Sequence, residues 1–116
     1  MINLTLHGVG KSSRSLEPEE ANVWISKENL EAILDELLRF NHFSVTVDDG
    51  NESDVEIVMP ALSKRKMRAI FFIPAGMLGQ EGYLGRKDVE ILVQEGMEVG
   101  THGMHHLDWR MLNEIE

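Results

Sequence analysis

An α/β fold with parallel strands is what this sequence predicts, and three observations predict it. Strand-like apolar runs alternate with helix-like periodic ones along the 116 residues, the pattern of a parallel sheet or barrel. Ala69 to Ile73 is apolar throughout, as in a strand covered on both faces. Val45 to Gly50, V-T-V-D-D-G, ends a β-branched run in two carboxylates and a glycine that permits an immediate turn. Acids at such a strand end can converge where α/β proteins place their chemistry. The plainer reading of D-D-G is a turn, since Asp and Gly are common turn formers.

Taken in order, Ile2 to Leu6 alternates as a first strand and ends at His7 and Gly8. The following G-V-G-K-S-S is not a phosphate loop, because Thr5 stands where the motif's first glycine belongs. Ser12 to Asn22 reads as a polar surface loop around Pro18. Ser26 is placed to cap a helix, with Ile25 and Leu30 as its hydrophobic staple. Leu30, Ile33, Leu34, Leu37 and Leu38 form one buried stripe on that helix. Phe43 to Val47 is the strand that leads into the two acids. Ser53 to Glu56 has the spacing of a capping box, and Val55, Val58, Met59 and Leu62 form the stripe of a second helix. Pro60 inside it removes a backbone bond and predicts a distortion. Lys64, Arg65, Lys66 and Arg68 suit a solvent-facing helix end, in preference to a nucleic-acid patch. After the strand at Ala69–Ile73 comes a Gly-rich loop through Gly79, Gly82 and Tyr83. Lys87 to Glu95 is a third helix stopped at Gly96, Met97 to Val99 a short strand, and Asp108 to Ile115 the start of a fourth helix.

Composition bounds the function. The chain is 42% hydrophobic and 27% charged, which fits one modest domain spanning residues 1–116. There is no apolar run of membrane-spanning length, and M-I-N-L-T-L-H lacks the features of a signal peptide. The absence of cysteine excludes disulfides and thiolate chemistry and fits a cytoplasmic setting. A net charge of −9 disfavours nucleic acid and anionic membranes. A neutral substrate or a bound cation suits it better.

Three of the five histidines fall within Thr101–Asp108. His102 and His106 are four apart after a short strand, so a helical turn or compact loop would aim both imidazoles at one spot. Two imidazoles and a carboxylate can hold a zinc-like divalent ion with positions left open. The zincin motif fails because Gly103 replaces its glutamate, and an EF-hand fails on spacing. A haloacid-dehalogenase-like phosphatase would want its acids two apart, whereas Asp48 and Asp49 are adjacent. Ordinary hydrogen-bonded loop histidines are the alternative; D-D-G at a comparable strand end favours the metal.

V-T-V-D-D-G-N-E-S-D and V-G-T-H-G-M-H-H-L-D-W resemble the first two motifs of the polysaccharide deacetylases (the NodB-type family, carbohydrate esterase family four). A-I-F-F-I-P-A-G and the G-Y-L before the third helix resemble its pattern too. The likeness runs from about Asn3 to the end of the chain, with Val47 where the family usually has phenylalanine and Gly103 where serine or threonine is common.

The resemblance implies a metal held by Asp49, His102 and His106, with Asp48 as the general base. The metal would be zinc, with cobalt or nickel as substitutes. The implied reaction is removal of an N-acetyl group from a carbohydrate, giving acetate and a free amine. His7 and His105 receive no role from the matched motifs. The implied fold is a partial, truncated β/α barrel. A full eight-fold barrel takes about 250 residues, and the family's later arginine, aspartate–tryptophan and leucine–histidine segments are missing. The open half-barrel is expected to expose apolar barrel-facing side chains, which a homo-oligomer would cover. The alternatives are a non-catalytic metal-binding or assembly fragment, or a related hydrolase of other non-peptide carbon–nitrogen bonds.

Overall fold

The computed structural model describes residues 2–12 and 15–101. Four strands, β1 (Ile2–Leu6), β2 (Phe43–Val47), β3 (Ile70–Ile73) and β4 (Glu98–Thr101), form one sheet in chain order. All three pairings are parallel. Each crossover carries helix: α1 (Pro18–Ala21) and α2 (Lys27–Leu37), then α3 (Met59–Lys64), then α4 (Arg86–Gln94). This is the α/β alternation expected, laid out as the first arc of a β/α barrel. No described helix is long and apolar enough to cross a membrane.

Register assigns the two faces. Leu4 pairs with Val45, Leu6 with Val47, Val47 with Phe71, and Ile73 with Thr101. Paired residues in neighbouring strands share a face. Leu6, Val45, Val47, Phe71 and Ile73 join Leu30 and Leu34 of α2, Leu62 of α3 and Leu92 of α4 in one buried cluster. The other face carries Asn3, Thr5, Ser44 and Thr46, with Ser44 Oγ donating to Asn3 Oδ1 at 2.6 Å and Thr46 Oγ1 to Thr5 Oγ1 at 3.2 Å. The expectation of apolar barrel-facing side chains is therefore corrected. That face is amide and hydroxyl over β1 and β2, and among the described strand residues Ile70 and Phe72 bring carbon to it.

The helices follow the sequence with four corrections. Ser26 Oγ accepts from Asn29 N at 3.0 Å and caps α2 as expected, but its buried stripe is narrower. Leu30, Leu34 and Leu37 are buried, whereas Ile33 and Leu38 are 37% and 46% exposed. The loop expected over Ser12–Asn22 contains α1, which starts at Pro18 with a Glu17–Glu20 capping box, where proline's missing N–H is harmless. The capping box expected at Ser53 does not form. Ser53 is helical, and its Oγ accepts instead from Val9 N at 3.1 Å. Asp54–Val58 is then a π-helical turn, with Met59 N bonded to Asp54 O, so the distortion expected from Pro60 falls just before it.

The fourth correction concerns Arg65, read as part of a solvated basic end. Its side chain is only 9% exposed. It donates to Asp35 Oδ1 at 2.8 Å, Glu31 Oε1 at 2.6 Å and Ala61 O at 3.0 Å, fastening the α3 end to α2. Arg65's hydrogen bond holds each of the two carboxyls below its usual range. A depressed carboxyl stabilises the fold above its unfolded pKa, and this contribution is lost as pH falls through the depressed one. Arg65→Ala should lower Tm by roughly 3–6 °C. The difference from wild type should shrink on acidification below about pH 4, as followed by circular dichroism melts.

Candidate active site

The site grows from the β1–β2 pairing. Beyond the last register pair, Leu6 with Val47, the ladder takes one more step, with Asp48 N donating to Leu6 O at 2.9 Å. His7 therefore leaves β1 where Asp48 leaves β2. Asp49 and Gly50 then adopt φ of +80° and +63°. A left-handed non-glycine is uncommon, and aspartate tolerates it better than most. Strain of this kind collects at functional sites. Here it accompanies a chain reversal that leaves the Asp49 carboxylate against β1, with His7 Nδ1 3.1 Å from Asp49 Oδ2. The two side chains are 30% and 14% exposed, partly sheltered and still reachable. An ionised carboxylate only accepts, so the imidazole donates through Nδ1.

The Gly-rich loop after β3 fixes this turn from the other side. Leu84 N donates to Gly50 O at 2.8 Å and Glu52 N to Gly82 O at 3.1 Å, while Asn51 bridges Tyr83. Asn51 is fully buried by these contacts.

Four residues on from Gly50 lies Asp54, fully buried. Neither carboxylate oxygen has a hydrogen-bond partner among the described residues. Burial first, then the charges of Asp49 and Asp48, push its carboxyl well above the usual aspartate range. The protonated form of Asp54 is thus favoured beside the adjacent pair. Spacing could have found it, since Asp54 is four residues before the buried Val58 and eight before Leu62, on the stripe itself. His7 is the other residue of this turn to which the motifs give no role; the signal for its position was its place directly after a strand, as Asp48 is placed after β2.

Asp48 and Asp49 lie at the C-terminal end of the sheet, as expected. His102 and His106 lie outside the described residues, as do His105, Asp108 and Trp109. Thr101, which pairs with Ile73, ends β4. Among the described residues, no three His, Cys, Asp or Glu side chains form a group able to hold a metal ion. The donors present nevertheless suit a divalent ion in kind. A sheltered carboxylate with an imidazole against it, beside a second carboxylate, is the oxygen-and-nitrogen chemistry that zinc-like ions take.

Asp54 gives a stability test. A carboxyl raised in the folded state favours folding below its unfolded pKa, near 3.8, and that contribution is lost as pH rises toward the folded value. Asp54→Asn removes the loss. In chelator-treated protein, the variant should be more stable than wild type at pH 7. Urea denaturation at both pH values should show this advantage shrinking toward pH 4.

The sequence matches the polysaccharide deacetylase family over residues 38–116, more than half of the chain. Solved structures share the fold. IcaB from Ammonifex degensii is 26% identical at a TM-score of 0.71, over 87% of this chain and 52% of its own. The Streptococcus pyogenes deacetylase PplD, solved in complex with acetate, is 18% identical at 0.67, over 93% and 58%. A polysaccharide deacetylase from Bacillus cereus is 19% identical at 0.76, over 94% and 40%. The chain thus spans about half the length of the structures it resembles. No curated protein matches it significantly. With its strand order, its D-D-G turn and most of its length within the family's pattern, the chain belongs to the polysaccharide deacetylase family.

Proposed function

We propose that this chain carries the metal-binding and base-bearing part of a carbohydrate N-deacetylase, which hydrolyses an N-acetyl group to acetate and a free amine. The observation that carries the reading is the contact between His7 and Asp49, with Asp48 adjacent, at the C-terminal ends of two paired strands. Asp49, with His102 and His106, would hold a divalent ion, zinc first and cobalt or nickel by the same donors. When bound, the ion would polarise the amide carbonyl and acidify a water molecule.

The remaining work belongs to the chain's own side chains. Asp48, next to Asp49 yet free of its turn strain, is the carboxylate that takes the proton as water attacks the carbonyl carbon. Expelling an amine then requires a proton on nitrogen. With Nδ1 donating to Asp49 and the ring partly open to solvent, we assign that delivery to Nε2 of a protonated His7 imidazole. The other described imidazole, His42, adjoins the start of β2, and His42 O accepts from Ile2 N, at the opposite end of the sheet. The Asp48 and Asp49 carboxylates would leave the mouth anionic, which favours a cation and a neutral sugar over a polyanion.

The test is metal content per chain together with acetate release from N-acetylated chitin oligosaccharides. The wild type should hold about one transition metal and release acetate, and Asp49→Ala should lose both. Asp48→Asn should keep the metal while release falls about 10²–10⁴-fold. His7→Ala should also keep the metal and slow release. Stoichiometric metal without any release would replace this reading with metal binding alone. No metal after reconstitution would remove it.

A further inference from the structure

The loop that leaves β3 at Pro74 and reaches α4 at its cap, Gly85, is made of two unlike halves. Its returning half is built in. Gly82 and Leu84 are buried and form a short antiparallel clip with the turn that carries Asp49. Leu84 N donates to Gly50 O at 2.8 Å, Glu52 N donates to Gly82 O at 3.1 Å, and Asn51 bridges Tyr83 between them. Its outer half, Leu78 to Glu81, is exposed throughout, and a Cβ at Gly79 would meet nothing within 4 Å.

The exposed half is nevertheless closed on itself. Gln80 N donates to Met77 O at 3.0 Å, Gln80 Nε2 to Gly76 O at 2.9 Å, and Tyr83 N to Gln80 O at 3.0 Å. A tip closed in this way is a compact unit, and Gly79 N joins it to the clip by donating to Leu84 O at 2.8 Å. A path of bonded groups therefore runs from tip to site. It passes from Gly79 to Leu84, from Leu84 to Gly50, and from the adjoining Asp49 to His7 at 3.1 Å.

Asp49 holds a φ of +80°, which costs energy and persists only where the surroundings enforce it. The clip supplies that enforcement by taking up Gly50 O and Glu52 N on the two sides of the reversal. With the clip open, the turn would relax toward ordinary backbone angles and carry the carboxylate away from β1. We infer that the loop is a latch on the cation site: docked, it holds Asp49 against β1, and undocked, it releases it. This rests on the cation reading above and adds a regulation of that site. Opening of an exposed glycine-rich loop takes far less free energy than global unfolding. Coupling of this kind is reciprocal, so a cation at Asp49 also closes the clip.

The experiment uses the full chain, chelator-treated and then titrated with Co²⁺, reading affinity and the visible absorption of the bound cobalt. Gly82→Ala puts a Cβ on a left-handed residue of the clip, at φ +85°. Gly96→Ala puts one at φ +86° beyond the far end of α4, where it meets Arg68 Nε at an ordinary 3.8 Å. The two substitutions carry the same backbone strain, so a merely structural effect would be shared. Gly82→Ala should weaken Co²⁺ binding about 10–100-fold and alter the cobalt absorption, with Gly96→Ala within about 2-fold of wild type. Amide exchange of the wild type, followed by mass spectrometry, needs no variant. Zn²⁺ should slow exchange across residues 78–84 well beyond any change across α2. Co²⁺ binding by Gly82→Ala that matches Gly96→Ala, or exchange across 78–84 that bound Zn²⁺ leaves unchanged, overturns the latch and leaves the cation site standing. No binding of either metal by the wild type overturns the latch together with the cation reading beneath it.

Discussion

The parallel pairing of β1 with β2 is the constraint on which the rest depends. Five register pairs, from Ile2 with Phe43 to Leu6 with Val47, decide which residues leave the sheet together. A slip of one residue would exchange the faces of a strand. Thr5 would then enter the apolar cluster, Leu6 would leave it, and His7 would no longer meet Asp49. Both faces oppose that slip. Leu6, Val45 and Val47 are buried on one, while the Asn3–Ser44 and Thr5–Thr46 hydrogen bonds join the strands on the other. The hydroxyl-rich inner face of the first two strands is therefore a register device. It also leaves less carbon for a second copy of the chain to cover than an open half-barrel would suggest.

What the sequence revealed and what it hid divide along a physical line. Elements specified by their own period and punctuation were legible. The structured runs Ile2–Leu6 and Phe43–Val47 match the alternation, and α2 starts behind its serine cap. The helix expected over Lys87–Glu95 is α4 at Arg86–Gln94, one residue away. What stayed hidden was decided by distant partners. Ser53 has every local mark of a cap, yet Val9, 44 positions away, takes its oxygen. Arg65 sits in a basic run that looks solvated, yet two carboxylates of α2 draw it in. Of the site, the acids were legible because a β-branched run ending in D-D-G is a local signal. The His7 contact was not, because it exists only through the pairing of two strands whose paired residues lie about forty apart in sequence.

The π-helical turn at Asp54–Val58 is where local rules conflict most. Pro60 offers no N–H, Ser53 is diverted to Val9, and the first residue of the turn buries a carboxyl without a hydrogen-bond partner among the described residues. A sequence optimised for stability alone would put an amide or an apolar side chain there. Proteins tolerate such departures where they serve a site, and this one borders the two acids of the mouth. Its electrostatic sense is clear. Burial first, and then the neighbouring Asp49 and Asp48, push the Asp54 carboxyl above the usual aspartate range, which holds back a third charge beside the pair.

Under the proposed function, the same logic would let the first two strands assemble much of the chemistry. Amide hydrolysis needs a group to accept a proton from water, a group to return one to nitrogen, and an electrophile to support the oxygen. The first two can be supplied by Asp48 and His7, one at the end of each of two adjacent strands, while Asp49 turns between them toward β1. A carboxylate base and an imidazole acid work together only if something keeps their charges from simply neutralising each other. In this chain the left-handed turn at Asp49 and Gly50 places Asp49 against His7, and in the proposed reaction it would leave Asp48 as the neighbouring carboxylate for water. The proposed division of labour between two adjacent aspartates would thus follow from one backbone reversal, which a glycine at position 50 makes feasible and the Gly82–Leu84 backbone contacts hold in place.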